Sequence, residues 1–121
     1  MLAVMTTRIE QWQDRIDRIK KELVELGEMR PGTLSEQYNV CGTAGCRCKD
    51  PTNPKKHGPY YQISFTRKGK STTQFVKKPM LSDVRKQLRN YARFRKLTEE
   101  WVDIALKIAR FKVEQAKRSG G

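Results

Sequence analysis

Apolar residues near the start of the chain (Leu2, Met5, Ile9, Trp12, Ile16, Ile19, Leu23 and Leu26) recur at intervals of three and four without a break. The residues between them are largely charged or polar. Such a heptad register predicts a helix over residues 1–29 with one narrow apolar seam. A stripe this narrow covers a partner helix, not a broad core. "RPG" at 30–32 stops it.

A second stripe occupies the other end. Val84, Leu88, Tyr91, Phe94, Leu97, Trp101, Ile104, Ile108 and Phe111 follow Pro79 and Ser82 and predict a long helix over 81–118. The stripe slips once between Tyr91 and Leu97 and then holds heptad spacing. Ile9, Trp12, Ile16, Ile19 and Leu23 are therefore expected to pack antiparallel against Trp101, Ile104, Ile108 and Phe111. Trp12 and Trp101 read as core residues of this coiled-coil-like stem, which can close within the chain, form a homodimer or dock on a partner protein.

Between the helices, "YYQISFT" and "STTQFVK" flank "RKGK" and read as a β-hairpin over 59–78. A three-residue loop, Arg67-Lys68-Gly69, with Gly69 left-handed, would pair Phe65 with Ser71, Ile63 with Thr73 and Tyr61 with Phe75. Tyr60, Gln62, Ser64, Thr66, Thr72 and Gln74 would then share the polar face. A two-stranded hairpin is marginal alone and needs a helix or a metal beneath it. The fold expected for the 121 residues is a single α+β domain: two long antiparallel helices joined by a zinc-binding loop, residues 30–58, and the β-hairpin.

That loop holds all three cysteines and the one histidine, as Cys41-x4-Cys46-x-Cys48-x8-His57. Three thiols cannot pair completely, and their tight spacing suits ligation better than disulfides. Three thiolates and an imidazole are a closed tetrahedral set for a structural Zn2+, with Gly42, Gly45 and Pro51 providing turns. Arg47, Lys49, Lys55 and Lys56 would offset the charge of a three-thiolate centre. Two other readings stay open: a redox-active Cys-x-Cys with a depressed thiol, and a cluster of buried reduced cysteines. Asp50 or an external ligand can replace His57 as fourth ligand.

Catalysis is not expected. A catalytic zinc needs an open position and a general base, and no second histidine, Ser/His/Asp set, paired carboxylates or phosphate-cradling glycine loop can be assembled. No signal peptide or membrane span is read, which suggests a cytoplasmic protein, associated with the nucleoid or a ribonucleoprotein.

The net charge is +13, and its placement is uneven. Residues 1–30 balance to zero, whereas residues 67–96 carry eleven basic groups against one acidic. That concentration points to a polyanionic partner, DNA or RNA. The expected binding set is Arg67, Lys68 and Lys70 in the turn, Lys77 and Lys78 after the second strand, and Arg85, Lys86, Arg89, Arg93 and Lys96 on the helix. Tyr60 is placed to stack on an unpaired base. Arg15 and Arg18, in the neutral stem, are expected to lie outside this face.

The run "RPGTLSEQYNVCG…GCRCKD…HGPYYQISFTRKGKSTTQFV", with "VRKQLRNYARFRKL" after it, resembles a family of small, uncharacterised, Cys-rich basic prokaryotic proteins over about residues 30–100. The family is associated with transposable elements, sometimes beside or fused to transposase genes. The resemblance brings no activity with it but implies a mobile-element setting. The function expected from the residues is a zinc-stapled, non-enzymatic nucleic-acid-binding accessory protein. The alternatives are an adaptor whose basic face meets an acidic protein, and a redox-sensing module.

Overall fold

The computed structural model describes the backbone of residues 2–120 and the side chains of residues 7–120. Leu2 and Met5 of the predicted seam therefore lie outside the described side chains. In chain order come α1 (Leu2–Glu25), β1 (Thr33–Asn39), a short 3-10 turn (Arg47–Lys49), β2 (His57–Arg67), β3 (Lys70–Val76), a second 3-10 turn (Lys78–Met80) and α2 (Leu81–Gly120). The protein is thus α+β, with a three-stranded antiparallel sheet and a long C-terminal helix. The expectation of two long helices is corrected. The long one is α2, with 40 residues, while α1 has 24 and ends before Gly27 and "RPG".

The chain divides into two compact units. The first joins the residues up to Glu28 with those from Asn90 onward. Its core is Ile16, Ile19, Leu97 and Ile104, with Trp12, Leu23, Trp101 and Ile108 packed against it. Ile19 is fully buried and Leu97 nearly so; each such side chain contributes about 2 kcal/mol of burial. Trp12 meets Phe111 edge-on, with ring centroids 5.8 Å apart. Beside the seam, Arg15 makes a two-pronged ion pair with Glu100, and Arg93 does the same with Glu22. Residues later in α1 meet residues earlier in α2, so the two helices run in opposite directions within this unit. Asp83 in the first turn of α2 and Lys117 and Arg118 in its last complement the helix dipole.

The second unit, Met29–Arg89, holds the sheet. Its buried apolar residues are Cys48, Ile63, Leu81 and Val84, of which Ile63 is fully buried. β2 is the central strand, paired with β1 through Leu34↔Ile63 and with β3 through Ile63↔Gln74. The sequence alone places "TLSEQYN" in the cysteine loop; the structure makes it the edge strand β1. The strap before it fits tightly: Arg30 donates its backbone N–H to the Gln87 carbonyl and its guanidinium to the Gln74 side chain. The sheet side carrying Ile63 and Gln74 is thereby the inner side, tied to the first turns of α2.

The hairpin register also differs from expectation. Arg67 pairs with Lys70, leaving a two-residue turn in which both Lys68 (φ 52°) and Gly69 (φ 77°) are left-handed. This is the twist-matched turn of tight hairpins. Shortening the loop by one residue shifts the pairing by one, which moves β3 side chains to the opposite face. Phe65 therefore faces Thr72, Ile63 faces Gln74 and Tyr61 faces Val76. Thr72 and Gln74 move to the inner side, and Phe75 joins Tyr60, Gln62, Ser64 and Thr66 on the outer side.

Candidate metal centre

β1 ends at Asn39 and β2 begins at His57, so 17 residues connect two paired strands. Loops of this length with little structure of their own are uncommon in compact units. Of these residues only Cys48 is buried, which leaves too little apolar surface to fix the loop.

The polar organisation is better defined. Gly45 turns the chain with a left-handed φ of 75°. Cys46 accepts from the Lys49 backbone N–H at its carbonyl, 3.0 Å, and the Arg47 carbonyl accepts from both Asp50 and Lys55. These turns bring the cysteines toward the start of β2. There Gly58 lies so close to β1 that a Cβ would meet the Gln37 carbonyl at 2.7 Å, and its φ is 138°. Only glycine suits that approach, which seats the neighbouring His57 at the mouth of the loop.

The ligand atoms of Cys41, Cys46, Cys48 and His57 all lie within 4.8 Å of one another. The Cys41 and Cys48 sulfurs are 3.6 Å apart, and the Cys46 sulfur is 3.2 Å from His57 Nε2. A tetrahedron around an ion with ligands about 2.3 Å away has edges of roughly 3.8 Å, so the spacing admits one ion. The cysteines are free thiols. Asp50 is not in the cluster: its carboxylate accepts from the Thr52 N–H and hydroxyl and from the Asn53 N–H. The fourth protein donor in place is His57.

Electrostatics favour ionised sulfur at two of the three cysteines. The Thr43 backbone N–H, followed by Cys46, draws the Cys41 thiol down to about 6, against opposing burial. Cys46 is lowered, first by the Cys48 backbone N–H. Burial instead pushes Cys48 up. His57 is raised by its hydrogen bonds to Cys41 and Cys46. A metal ion bound here would displace the protons that Cys48 and His57 hold more tightly than usual. The set is compatible with a metal site.

The expected nucleic-acid residues divide between the units. Arg67, Lys68, Lys70, Lys77, Lys78, Arg85, Lys86 and Arg89 belong to the sheet unit and are exposed, as is Tyr60. Arg93 and Lys96 belong to the helix pair. Arg93 is engaged by Glu22 and is not a free cation. Arg15, expected to lie outside the binding face, is paired with Glu100 in the helix pair. The sheet unit carries thirteen basic residues against three acidic, a net +10, whereas the helix pair has thirteen against ten, +3. Phe75, exposed at 74%, is a surface residue that the sequence reading missed. The "KG" turn is the signal that locates it, since a two-residue loop puts Phe75 outward.

No helix among the described residues is long and apolar enough to cross a membrane. Comparison with curated proteins and with solved structures finds no match. A family model does match, from residue 9 to residue 86, so it takes in most of α1 and the whole sheet unit except its last three residues. On that match, the chain belongs to the family described as Domain of unknown function (DUF6788).

Proposed function

We propose that this chain is a non-enzymatic nucleic-acid-binding protein whose sheet unit is stapled by a structural Zn2+ on Cys41, Cys46, Cys48 and His57. Zinc fits three thiolates and an imidazole better than the oxygen-seeking ions do. The ion would fix the β1–β2 loop and fold the unit; its chemistry there is structural. Reduced thiols suit a cytoplasmic setting. The resemblance to transposon-associated proteins supports the reading of an accessory subunit in a mobile-element or other nucleoprotein complex.

The observation that carries this reading is the segregation of charge. A net +10 on the 61 residues of the sheet unit is self-repulsion that a polyanion relieves. The exposed cations Arg85, Lys86 and Arg89 and the hairpin cations Arg67, Lys68, Lys70, Lys77 and Lys78 are the expected phosphate contacts.

Fluorescence anisotropy over a salt series tests it. Affinity for nucleic acid should fall steeply with salt, because each phosphate contact releases counterions. Arg85→Glu with Arg89→Glu should weaken binding and flatten the log–log salt slope by about 2. Arg18→Glu with Lys21→Glu, exposed on the helix pair, should leave both nearly unchanged. Equal losses in the two double variants would show that the charge map is wrong. Absence of binding by the wild type would transfer the basic face to an acidic protein partner.

A further inference from the structure

We propose that the outer face of the sheet is a stacking platform for unpaired bases, with Tyr60 and Phe75 as its two stacking residues. The polyanion is then single-stranded nucleic acid. This rests on the nucleic-acid reading above and names its substrate class.

The register makes the case. Gln62 is paired with Phe75 and Tyr61 with Val76, so Tyr60 and Phe75 are diagonal neighbours on one face of β2 and β3. Both rings are open to solvent, Tyr60 at 43% and Phe75 at 74% exposure. A single exposed ring is ordinary, but two exposed rings at diagonal positions on one sheet face make an apolar patch. A shallow groove of about 440 Å³ runs beside them, lined by Pro59, Tyr60, Phe75, Val76, Lys77 and Lys78 among others.

The rest of that face is neutral and hydroxyl-rich. Ser64 bonds Thr73 at 3.1 Å, and Thr66 bonds Ser71 at 2.9 Å. The outward positions Thr33, Ser35, Gln37, Gln62, Ser64 and Thr66 include no acidic residue. Cations stand at both ends: Arg67, Lys68 and Lys70 at the turn, Lys77 and Lys78 at the other. An acidic peptide would use the cations but leave the rings idle. A duplex would use the cations but hides its base faces. An unpaired strand uses both, with bases on the rings and phosphates on the flanking lysines.

The test compares binding of fluorescent oligo-deoxythymidine, oligouridine and a duplex of equal length to wild type, Tyr60→Ala, Phe75→Ala and Phe75→Tyr. The wild type should prefer the single strands. Each alanine variant should lose roughly five- to a hundredfold in single-strand affinity, with the salt slope unchanged because phosphate contacts remain. Phe75→Tyr should restore most of the loss. If the alanine variants bind single strands like the wild type, the platform is wrong, while the Arg85/Arg89 effect keeps the nucleic-acid reading. A loss that Phe75→Tyr does not restore assigns Phe75 to folding and overturns the proposal. If the wild type retains no polynucleotide at low salt, the platform and the reading beneath it fall together.

Discussion

The helix pair and the sheet unit are of similar size and differ in how they use apolar surface and charge. The helix pair closes an apolar seam, Ile16, Ile19, Leu97 and Ile104 with flanking tryptophans, and sets Arg15 and Arg93 against Glu100 and Glu22. Its charges are nearly balanced. The sheet unit buries Cys48, Ile63, Leu81 and Val84 and keeps a 17-residue loop between paired strands. Its exposed charges are almost all positive. Where packing supplies the stability, charge is spent on pairing within the fold. Where the buried apolar set is small and a long loop joins paired strands, the charges stay exposed and mostly unpaired by acidic neighbours.

The sharpest way to break this comparison is to take the metal away. Chelation, or Cys46→Ser, should loosen the β1–β2 loop and then the sheet, since metal binding and folding are coupled in such sites. The helix pair, whose core has no ligand in it, should keep its amide protection. The largest change in hydrogen exchange should fall within residues 38–78. Metal analysis of the native protein should give close to one ion per chain. A metal-free protein with an unchanged sheet would mean that packing alone orders both units.

The reciprocal experiment acts on the seam. Ile19 is fully buried, so Ile19→Asp places an unpaired charge among apolar groups and should cost about 3–5 kcal/mol. Thermal unfolding followed by tryptophan fluorescence reports this directly, because Trp12 and Trp101 both pack on that core. Metal content should stay the same. A variant that loses its metal as readily as its helices would show that the sheet unit does not stand on its own ligands.

The same contrast explains what could be read from the residues. Heptad spacing locates the seam, because a period of 3.5 residues leaves few helical alternatives. Ile16, Ile19 and Ile104 are in the core with Trp12, Leu23, Trp101 and Ile108 against it, and Leu97 joins them from outside the expected packing set. The ligand cluster was legible for a similar reason: four chemically matching donors in 17 positions need only a loop to bring them together. The sheet was harder. β1 carries Glu36 and Asn39 in a seven-residue strand, and its pairing with β2 is long-range, so no local period marks it. The hairpin's existence was visible, but its register hinged on whether Arg67 belongs to the turn or the strand. Lys68 occupies a left-handed conformation that its type rarely adopts, and that one residue decides which face Phe75 takes. Arg93 reads as a free binding cation because its partner, Glu22, comes from the other end of the chain.

Those two ion pairs yield the smallest expected effect, one confined to the helix pair. The Arg93 guanidinium, hydrogen-bonded to Glu22, holds that carboxyl below its ordinary value despite partial burial. Arg15 does the same for Glu100, with Arg93 and Lys96 adding to it. A carboxyl lowered in the folded state binds protons more weakly there than in the unfolded chain. Its contribution is therefore present above the unfolded value, near 4.3, and is lost as pH falls through the lower folded one. The melting temperature of the helix pair should drop as pH is taken from 6 toward 3. Glu22→Gln with Glu100→Gln should remove most of that difference and cost little at low pH, where the wild-type carboxyls are already protonated. Both pairs are a third or more open to water, so added salt should blunt the effect. If the acid response of the double variant matches that of the wild type, the guanidinium pairs carry no linkage. The stability of the helix pair then comes from its apolar seam alone.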